Sequence, residues 1–347
     1  MARKTRLALI GCGGISKSHV SRFEKCTDRL DVVAAVDVRL EKAKGVADLL
    51  PNCRAATDFH DVLDDVDAVL LALPHYIHRD VSVDCLNAGK HVLVEKPLAN
   101  SRQECLDMMD AAKRNNRTLM VAYCMRYHPF VLKIKELLDN KTYGEVFQAS
   151  IWTEQLTFFK KDDPNRFGIW AHDARKLGGG QLFSHGCHYI DLLMWYLGRP
   201  ISGVHMGSNR CVEWMEMEGT SNVTLMFPNG VMGYHFGTWG ARGTRLNYSY
   251  HFHCSEAMIE ADIVGGKLYV HKGSNCEVLM QDLQCKPMER EMAHFLDCIE
   301  TGQEPITNAA DSLKGLEVIW KLYEAERTGT IADLREGSPM PDSSFAD

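Results

Sequence analysis

The stretch TRLALIGCGG, residues 5–14, decides the fold class of this 347-residue chain. An apolar run ends in the turn GCGG at 11–14, and the amphipathic segment ISKSHVSRFEKC follows at once. A second apolar run, VVAAV, then ends at Asp37. This order predicts a strand, a tight glycine turn, a helix and a second strand that closes on a carboxylate.

The unit has the pattern of a dinucleotide-binding βαβ motif. Glycines allow the backbone to approach a pyrophosphate, the helix N-terminus faces that anion, and the carboxylate binds ribose hydroxyls. The third glycine position of the fingerprint holds Ser16, which is small enough to keep the motif. Asp37 repels the 2′-phosphate of NADP and favours NAD, while Arg39 leaves NADP as the second choice. The residues expected to bind the cofactor here are Gly11, Gly13, Gly14, Ile15, Asp37 and Arg39.

Composition excludes several classes of protein. The net charge is −7 and the basic residues do not cluster, so we expect no nucleic-acid surface. No apolar run reaches the roughly 20 residues that cross a bilayer, and the short N-terminal run ends at the glycine turn, which argues against a signal peptide. The 12 cysteines form no CxxC pair and no His/Cys ligand set. This pattern predicts free thiols, no metal site and a cytoplasmic location.

The pattern of predicted helices and strands changes near residue 123, which predicts two domains. Over 1–122, short apolar strands alternate with helices, which is typical of a doubly wound parallel sheet in an α/β Rossmann domain. Over 123–335 we expect an α+β domain with an open-faced, mostly antiparallel sheet, because strands rich in β-branched and aromatic residues dominate between 203 and 272. Within these domains, Ser101 predicts a helix N-cap and the PNG at 228–230 predicts a hairpin. The tail 336–347 is polar.

Three polar clusters follow successive strands of the predicted parallel sheet, where such sheets bind their ligands. They are LPHYIH at 73–78, EKP at 95–97 and YCMRY at 123–127. One cluster alone is more often a solvated loop than a site, but three at successive strand ends favour a site. The further cofactor-binding residues expected from these clusters are Leu73, Pro74, His75, His78, Glu95, Lys96 and Arg126.

Lys96 is the first catalytic candidate. Next to an oxidised nicotinamide ring, a lysine lies beside a like charge and is partly desolvated, and both effects make its ammonium group a stronger acid. The amine then acts as the base that takes a hydroxyl proton as hydride leaves, or it returns that proton in the reverse direction. Glu95 either orients Lys96 or caps the segment that follows.

A second candidate segment is GGGQLFSHGCHYID at 178–191, which leads into an apolar helix. Triple glycine permits close approach of the backbone to a ligand or another domain, and His188 and Asp191 share a helix face. Two histidines three residues apart suggest metal ligands, but no carboxylate or thiol completes a set, so proton transfer or hydrogen bonding is favoured. His185 fits a structural role as well as a catalytic one. Trp170 is the one tryptophan we expect at the site, as a cofactor contact.

These residues resemble the glucose–fructose oxidoreductase / inositol dehydrogenase / rhizopine catabolism (Gfo/Idh/MocA) family. The matching blocks run in family order and are GCGGISKSH at 11–19, LPHYIHRDV at 73–81, AGKHVLVEKPLA at 88–99, YCMRYHP at 123–129 and GGGQLFSHGCHYIDLLMWYLG at 178–198. The resemblance implies a dinucleotide-binding domain followed by an open-faced sheet that builds a homodimer or homotetramer. It also implies nicotinamide-dependent oxidation or reduction of a ring hydroxyl or aldehyde carbon on a sugar or cyclitol.

The resemblance also assigns roles to single residues. The family's lysine falls on Lys96 and its catalytic histidine on His188. The family's aspartate falls on Ser184, which cannot hold a negative charge, so the proton relay differs or His185 takes that place. The arginine often found after the tryptophan is missing, and His172 is the nearest polar replacement. The expected catalytic residues are Lys96, His188, Ser184 and His185.

Three functions stay open at this point. The first is a sugar, glycoside or cyclitol dehydrogenase that uses NAD. The second is oxidation of a glycoside at its third ring carbon followed by elimination of the glycosidic group, with bound NAD recycled. The third is a non-catalytic, NAD-binding sugar sensor, which is disfavoured because a sensor has no need for Lys96. Replacing Lys96 by alanine separates the sensor from the enzymes.

Overall fold

The computed structural model describes residues 3–157, 168–283 and 286–341. The chain divides into two compact units. The first comprises Met1–Cys124 and Pro287–Leu313, and the second comprises Met125–Lys286 and Lys314–Asp347. The sequence analysis expected a second domain that is continuous over 123–335, whereas the structure assigns residues 287–313 to the first unit.

Helices and strands alternate in the first part of the chain, and strands dominate the second. The strands are β1 Thr5–Ile10, β2 Leu30–Val36, β3 Arg54–Ala56, β4 Ala68–Leu71, β5 His91–Glu95, β6 Leu119–Ala122, β7 Val146–Glu154, β8 Ser202–Ser208, β9 Thr220–Met226, β10 Met232–Thr238, β11 Tyr248–Cys254, β12 Met258–Asp262, β13 Lys267–Lys272, β14 Asn275–Gln281 and β15 Ala332–Asp333. The α-helices are α1 Gly14–Phe23, α2 Leu40–Ala47, α3 His78–Asn87, α4 Arg102–Asn115, α5 Pro129–Asp139, α6 Gly168–His172, α7 Ala174–Leu177, α8 Cys187–Leu197, α9 Met288–Thr301 and α10 Ala309–Thr328.

The first unit is built on a six-stranded sheet in the order β3-β2-β1-β4-β5-β6, with every pair parallel. The strand order reverses between β1 and β4, so ligands of this doubly wound sheet bind beyond the carboxyl ends of these two strands. The central strands are apolar on both faces because helices cover both sides of such a sheet. The predicted parallel Rossmann sheet is therefore confirmed.

Local sequence signals set the ends of two elements in the first unit. Ser101 caps α4, as predicted: its hydroxyl accepts from the Glu104 amide, and the Glu104 side chain bonds back to the Ser101 amide. Gly11, at the end of β1, has φ +96°, and a Cβ there would lie 2.3 Å from the carbonyl oxygen of Ala72. Only glycine fits this close approach of two strand ends.

The second unit is built on a nine-stranded mixed sheet in the order β14-β13-β12-β11-β7-β10-β9-β8-β15. All neighbours are antiparallel except β7 and β10. The expected hairpin joins β9 and β10 through residues 228–230, and a turn at Gly265 and Gly266 joins β12 and β13. The mostly antiparallel second sheet is thus confirmed.

Side chains of the second sheet alternate between its two faces. Along β9 and β10, Val223, Leu225 and His235 are fully buried, while Asn222 and Thr224 are exposed. The buried face contacts α8 and the turn before it. The other face carries half-buried and exposed side chains. Within the described residues, no helix combines the length and the apolar character that a membrane span requires.

Candidate functional site

The glycine turn between β1 and α1 is open. A Cβ placed on Gly13 or Gly14 would meet no heavy atom within 4 Å. Gly13 is the N-cap residue of α1, and no side chain caps the helix there. Ser16 is fully buried and donates to the Gly13 carbonyl at 2.6 Å, which holds the turn. An open turn with free amide groups at a helix start fits the pyrophosphate of a dinucleotide.

Asp37 stands at the end of β2 with its carboxylate fixed by backbone amides. Its Oδ2 accepts from the Cys12 amide at 3.0 Å, and its Oδ1 accepts from the Arg39 amide at 2.9 Å. The guanidinium Nε of Arg39 lies 3.7 Å from a carboxylate oxygen of Glu41. Burial, and then the charge of Asp37, raise the pKa of the Cys12 thiol to about 12, so Cys12 stays protonated and is not a redox group. The Asp37 carboxylate is thus held at the end of β2, the position from which the acidic residue of the dinucleotide-binding fingerprint binds ribose hydroxyls.

The segment after β4 is tied to the segment after β5 by His78. The ring is fully buried, with Nδ1 2.9 Å from the Pro97 carbonyl oxygen and Nε2 3.0 Å from the Leu73 carbonyl oxygen. Burial lowers the pKa of His78, so the neutral ring donates to one of the two oxygens at a time. His75 is buried beside it, at 5.6 Å between ring centroids, while Leu73 and Pro74 are half-buried. His78 therefore braces the edge of the sheet where the polar clusters lie, and its contact with a cofactor stays a prediction.

Glu95 is the last residue of β5, which lies between β4 and β6, and Lys96 follows it directly. The buried carboxylate of Glu95 lies 2.8 Å from Nε2 of the buried His19 on α1, and its other oxygen accepts from the Lys96 amide at 3.2 Å. The Lys96 side chain is half-buried. Glu95 thus links the strand end that bears Lys96 to the helix that starts at the glycine turn.

Sequence reasoning missed a buried acid that interacts with Glu95. Glu291 on α9 is fully buried, and neither carboxyl oxygen has a hydrogen-bond partner in the described part of the chain. Burial, and then the nearby charge of Glu95, raise the pKa of Glu291 well above the usual range, which favours its neutral form. No motif pointed to it, since its significance depends on α9 packing into the first unit.

In the second unit, Arg126 and Asp191 form a buried ion pair. Nε and Nη2 of Arg126 lie 2.7 and 2.6 Å from the two carboxylate oxygens of Asp191, and both residues are less than 5% exposed. The bidentate geometry fixes the segment after β6 to α8. Arg126 was expected to bind the cofactor; the structure shows its guanidinium on Asp191, and a further contact with cofactor stays a prediction.

Ser184, His185 and His188 lie together at the start of α8. Residues 182–186 form a π-helical turn that runs straight into the helix. Ser184 and His188 are about 7–8% exposed, and His185 is half-buried. The ring centroids of His185 and His188 are 6.1 Å apart. The structure therefore brings three of the four expected catalytic residues onto one helix start, and π-helical turns of this kind are frequent at functional sites.

Aromatic side chains that the sequence analysis did not single out surround His185. Its ring lies 5.3 Å from Tyr189 and 5.9 Å from Tyr248, centroid to centroid, with Trp239 at 6.4 Å. Its Nε2 is 3.4 Å from the Tyr248 hydroxyl, and its Nδ1 is 3.4 Å from the Gln181 amide nitrogen. Gln181 and Tyr189 lie four residues on either side of His185, at helical spacing, whereas Trp239 and Tyr248 come from distant segments that no spacing in the sequence could reveal.

Trp170 and His172 lie on α6. Trp170 packs against a small core formed with Ala171, Leu177 and Trp239. Nδ1 of His172 hydrogen-bonds the Trp214 carbonyl, and its Nε2 is 3.8 Å from Glu216. The described contacts of His172 are therefore structural, and the cofactor contact of Trp170 stays a prediction. No group of three or more metal-ligating side chains is present among the residues that the structure describes.

Comparison with known proteins agrees with this architecture. The family model described as "Oxidoreductase family, NAD-binding Rossmann fold" matches residues 5–123, and the "GFO/IDH/MocA C-terminal domain" model matches residues 131–260. The chain therefore belongs to the Gfo/Idh/MocA family of NAD(P)-dependent oxidoreductases. The family membership expected from the sequence is confirmed.

Two relatives align with the chain over nearly their whole length. The chain is 27% identical to 4-carboxy-2-hydroxymuconate-6-semialdehyde dehydrogenase of Sphingobium sp. over 346 residues, which cover 93% of this chain and all of the relative. It is 29% identical to D-glucoside 3-dehydrogenase of Escherichia coli, with 95% of this chain and 97% of the relative covered. The crystal structure of aldose-aldose oxidoreductase from Caulobacter crescentus, complexed with glycerol, superposes with a TM-score of 0.84 at 25% identity, covering 96% of this chain and all of that one.

Proposed function

We propose that this protein transfers a hydride between a nicotinamide cofactor and a ring hydroxyl or ketone of a sugar, glycoside or cyclitol. The observation that carries the proposal is the pairing of an open glycine turn with Lys96 at the carboxyl edge of one parallel sheet. The turn fits the cofactor's pyrophosphate, and Lys96 follows β5, which pairs with β4 beside β1. In such a sheet, the carboxyl edge is where cofactor and reacting groups bind.

The chain's own residues would handle the proton. The nicotinamide, when bound, accepts the hydride that leaves the carbon of the alcohol. As that C–H bond breaks, the Lys96 amine takes the hydroxyl proton, and the alcohol becomes a carbonyl. His188 would act as the partner in proton transfer, orienting the hydroxyl or passing the proton on. In the reverse direction Lys96 returns the proton to the forming alkoxide.

The relay would differ from the usual one of the family. Ser184 stands where the family has an aspartate, and it is buried at the helix start. His185, one residue on, lies near the Tyr248 hydroxyl and can exchange protons through its ring nitrogens. We infer that His185 supplies the acid–base function that Ser184 cannot.

NAD is the proposed cofactor, with NADP second. The Asp37 carboxylate is fixed by the Cys12 and Arg39 amides, so it cannot swing away from an added 2′-phosphate. Repulsion between these two anions favours NAD. Arg39, two residues beyond Asp37, carries a cation that could offset this repulsion.

The substrate class rests on two supports. The relatives include proteins named D-glucoside 3-dehydrogenase and aldose-aldose oxidoreductase. The half-buried Tyr248 beside His185 also presents an aromatic ring together with a hydroxyl, which suits a ligand with both apolar and polar faces. The semialdehyde dehydrogenase among the relatives shows that aldehydes belong in any substrate panel.

A second candidate is redox-assisted glycoside cleavage. A ketone formed at the third ring carbon acidifies the neighbouring C–H, and a second base can then remove that proton as the glycosidic group leaves. The additional histidine, His185, supports this reading, as does the relative that is named a D-glucoside 3-dehydrogenase. A p-nitrophenyl glycoside distinguishes the two: cleavage releases p-nitrophenol without net accumulation of NADH.

Self-association through the open face of the second sheet is also proposed. Trp152, Tyr234 and Phe236 pack together there, with ring centroids 5.2–5.3 Å apart, and Met206 is 72% exposed on the same face. A second copy of the chain would cover this apolar surface as a homodimer or homotetramer. Light scattering should find a dimer or tetramer that Met206→Glu weakens. We further infer a reducing compartment such as the cytoplasm, since the cysteines of the described residues are free thiols.

The test of the proposed reaction is a substrate panel. Purified protein is mixed with NAD or NADP and with pyranoses, glycosides, cyclitols and aldehydes, and absorbance at the NADH wavelength is followed. We expect NAD reduction with at least one ring alcohol. Binding of NAD without reduction by any member of the panel would instead favour the sensor.

A further inference from the structure

The start of the helix that bears Ser184, His185 and His188 is capped by two residues far away in the sequence. The first amides of a helix have no partner within the helix itself. Here the Gly180 and Phe183 amides donate to the Tyr323 hydroxyl at 3.1 and 3.2 Å. The Leu182 amide donates to Oε1 of Glu218 at 3.0 Å. Four consecutive amides are satisfied in this way, because the Gln181 amide also donates to the Glu218 carbonyl at 2.7 Å.

The two capping residues are joined to each other. The Tyr323 hydroxyl donates to Oε1 of Glu218 at 2.7 Å, and both side chains are buried. Glu218 lies two residues before β9, and Tyr323 lies on α10, so the cap ties the helix start to the sheet and to a second helix. We call this group of Glu218, Tyr323 and the amides of residues 180–183 the remote cap.

The glycine segment 178–180, which is distinct from the glycine turn after β1, leaves room for the remote cap. A Cβ on Gly180 would lie 2.1 Å from Oε2 of Glu218 and 2.4 Å from its carbonyl oxygen. No residue larger than glycine fits at this position without displacing the carboxyl group. The third glycine of GGG therefore serves the capping of the helix.

We propose that Glu218 and Tyr323 are positioning residues that hold Ser184, His185 and His188 in their catalytic arrangement. The proposal rests on the proposed function, because it takes these three side chains as the ones that handle the proton. Ser184 follows the last capped amide directly, and its own amide continues the helix by donating to the Gly180 carbonyl at 3.0 Å. Any shift of the capped turn is therefore transmitted to the three side chains. A displacement of about 1 Å in a catalytic group can reduce turnover about 100-fold.

The chain offers variants that separate charge from hydrogen bonding. Burial raises the pKa of Glu218 to about 7, so both protonation states occur near neutral pH. Oε1 can accept from the Leu182 amide in either state. Glu218→Gln keeps that acceptor and should preserve the remote cap. Glu218→Ala and Tyr323→Phe each remove acceptors, while Glu324→Ala, at a half-buried glutamate next to Tyr323 on α10 whose carboxylate pairs with Arg327, is the matched control.

The cap is tested by hydrogen exchange on the full chain. The Leu182 amide in Glu218→Ala, and the Gly180 and Phe183 amides in Tyr323→Phe, should exchange at least tenfold faster than in the wild type. Glu218→Gln and Glu324→Ala should leave their exchange unchanged. Equal protection of these amides in all variants would overturn the remote cap.

The positioning role is tested by nitrogen-15 NMR of labelled histidines and by steady-state kinetics. The His185 and His188 signals should shift and titrate differently in Glu218→Ala and Tyr323→Phe, and return to wild-type behaviour in Glu218→Gln. With a substrate found for the wild type, kcat should fall about 10- to 100-fold in the first two variants while the KM for NAD changes little. Unchanged histidine signals, or an unchanged kcat, would overturn the positioning role. If the wild type oxidises no substrate but the exchange and NMR changes occur, the proposed function fails and the remote cap stands.

Discussion

Several functional side chains of this protein are held in place by hydrogen bonds from backbone amides as much as by contacts with other side chains. Asp37 is held by the amides of Cys12 and Arg39, and Glu95 by the Lys96 amide and His19. Such contacts fix a carboxylate without neutralising it, so the charge stays available to a ligand. The buried Arg126–Asp191 pair is different, because each charge there is matched by the other.

Replacing Asp37 by serine should change the cofactor preference. The variant removes the anion that repels a 2′-phosphate and leaves Arg39 in place to bind it. We expect the ratio of kcat/KM for NAD to that for NADP to fall by roughly tenfold or more, which corresponds to about 1.4 kcal/mol of lost discrimination. Fluorescence titration with both cofactors gives the same comparison for binding. An unchanged ratio would show that Asp37 does not discriminate between the ribose 2′-hydroxyl of NAD and the 2′-phosphate of NADP.

At the scale of elements, the sequence predicted regular structure well and irregular structure poorly. The glycine turn, the Ser101 cap and the β9–β10 hairpin each follow from local residue chemistry, and all three are confirmed. The parallel pairing of β7 with β10 and the short strand β15 were missed, because both depend on contacts between distant segments. The π-helical turn was missed for the same reason. Its amides depend on Glu218 and Tyr323, which no pattern near residue 182 reveals.

The turn between β1 and α1 offers an internal comparison between two glycines. Gly11→Ala places a Cβ 2.3 Å from the Ala72 carbonyl oxygen at φ +96°, so it should destabilise the fold by several kcal/mol and lower the melting temperature. Gly13→Ala meets no atom within 4 Å at φ −83°, so it should leave stability nearly unchanged.

The same Gly13→Ala side chain would project into the open space in front of the helix start, so NAD binding should weaken. Thermal unfolding and calorimetric titration with NAD measure the two effects separately. A Gly13→Ala protein that binds NAD as the wild type does would show that the pyrophosphate lies elsewhere.

On the scale of the whole molecule, each of the two sheets carries or supports a different set of the proposed site residues. The parallel sheet carries the glycine turn, Asp37 and Lys96, and the mixed sheet supports the helix start with Ser184, His185 and His188. The sequence revealed both sets through motifs, since those residues lie in short, recognisable blocks. It could not reveal Glu291, Tyr248 or the remote cap, because each acquires its role from folding rather than from spacing. Residues 287–313 illustrate the limit, because they belong to the first unit although the segments on both sides of them, 125–286 and 314–347, belong to the second.

Buried neutral histidines should make the fold sensitive to acid. Burial lowers the pKa of His235 to about 4, and burial together with Arg117 lowers that of His91 to about 4. The unfolded chain takes up protons on these rings below about pH 6.5, whereas the folded chain does not. Stability should therefore fall as pH drops from about 6.5 towards 4, with His235 contributing on the order of 3 kcal/mol. Urea unfolding across this range measures the slope.

The matching variant for this prediction is His235→Gln. It removes the titrating ring and keeps an amide that can donate to the Ile151 carbonyl, which His235 Nδ1 contacts at 3.1 Å. The dependence of unfolding free energy on pH should be shallower than in the wild type. The same slope in both proteins would show that His235 is not the group that titrates.

The most direct test of the proposed role of Lys96 in proton transfer is to measure the turnover of Lys96→Ala and its affinity for NAD on the same preparation. We expect kcat to fall by about 100- to 10,000-fold, because this is the usual contribution of a general base. The dissociation constant for NAD should stay close to that of the wild type. Lys113→Ala, at an exposed lysine on α4, should match the wild type in both measurements. A Lys96→Ala protein that turns over substrate at the wild-type rate would contradict the assignment of Lys96 as the proton-transferring group.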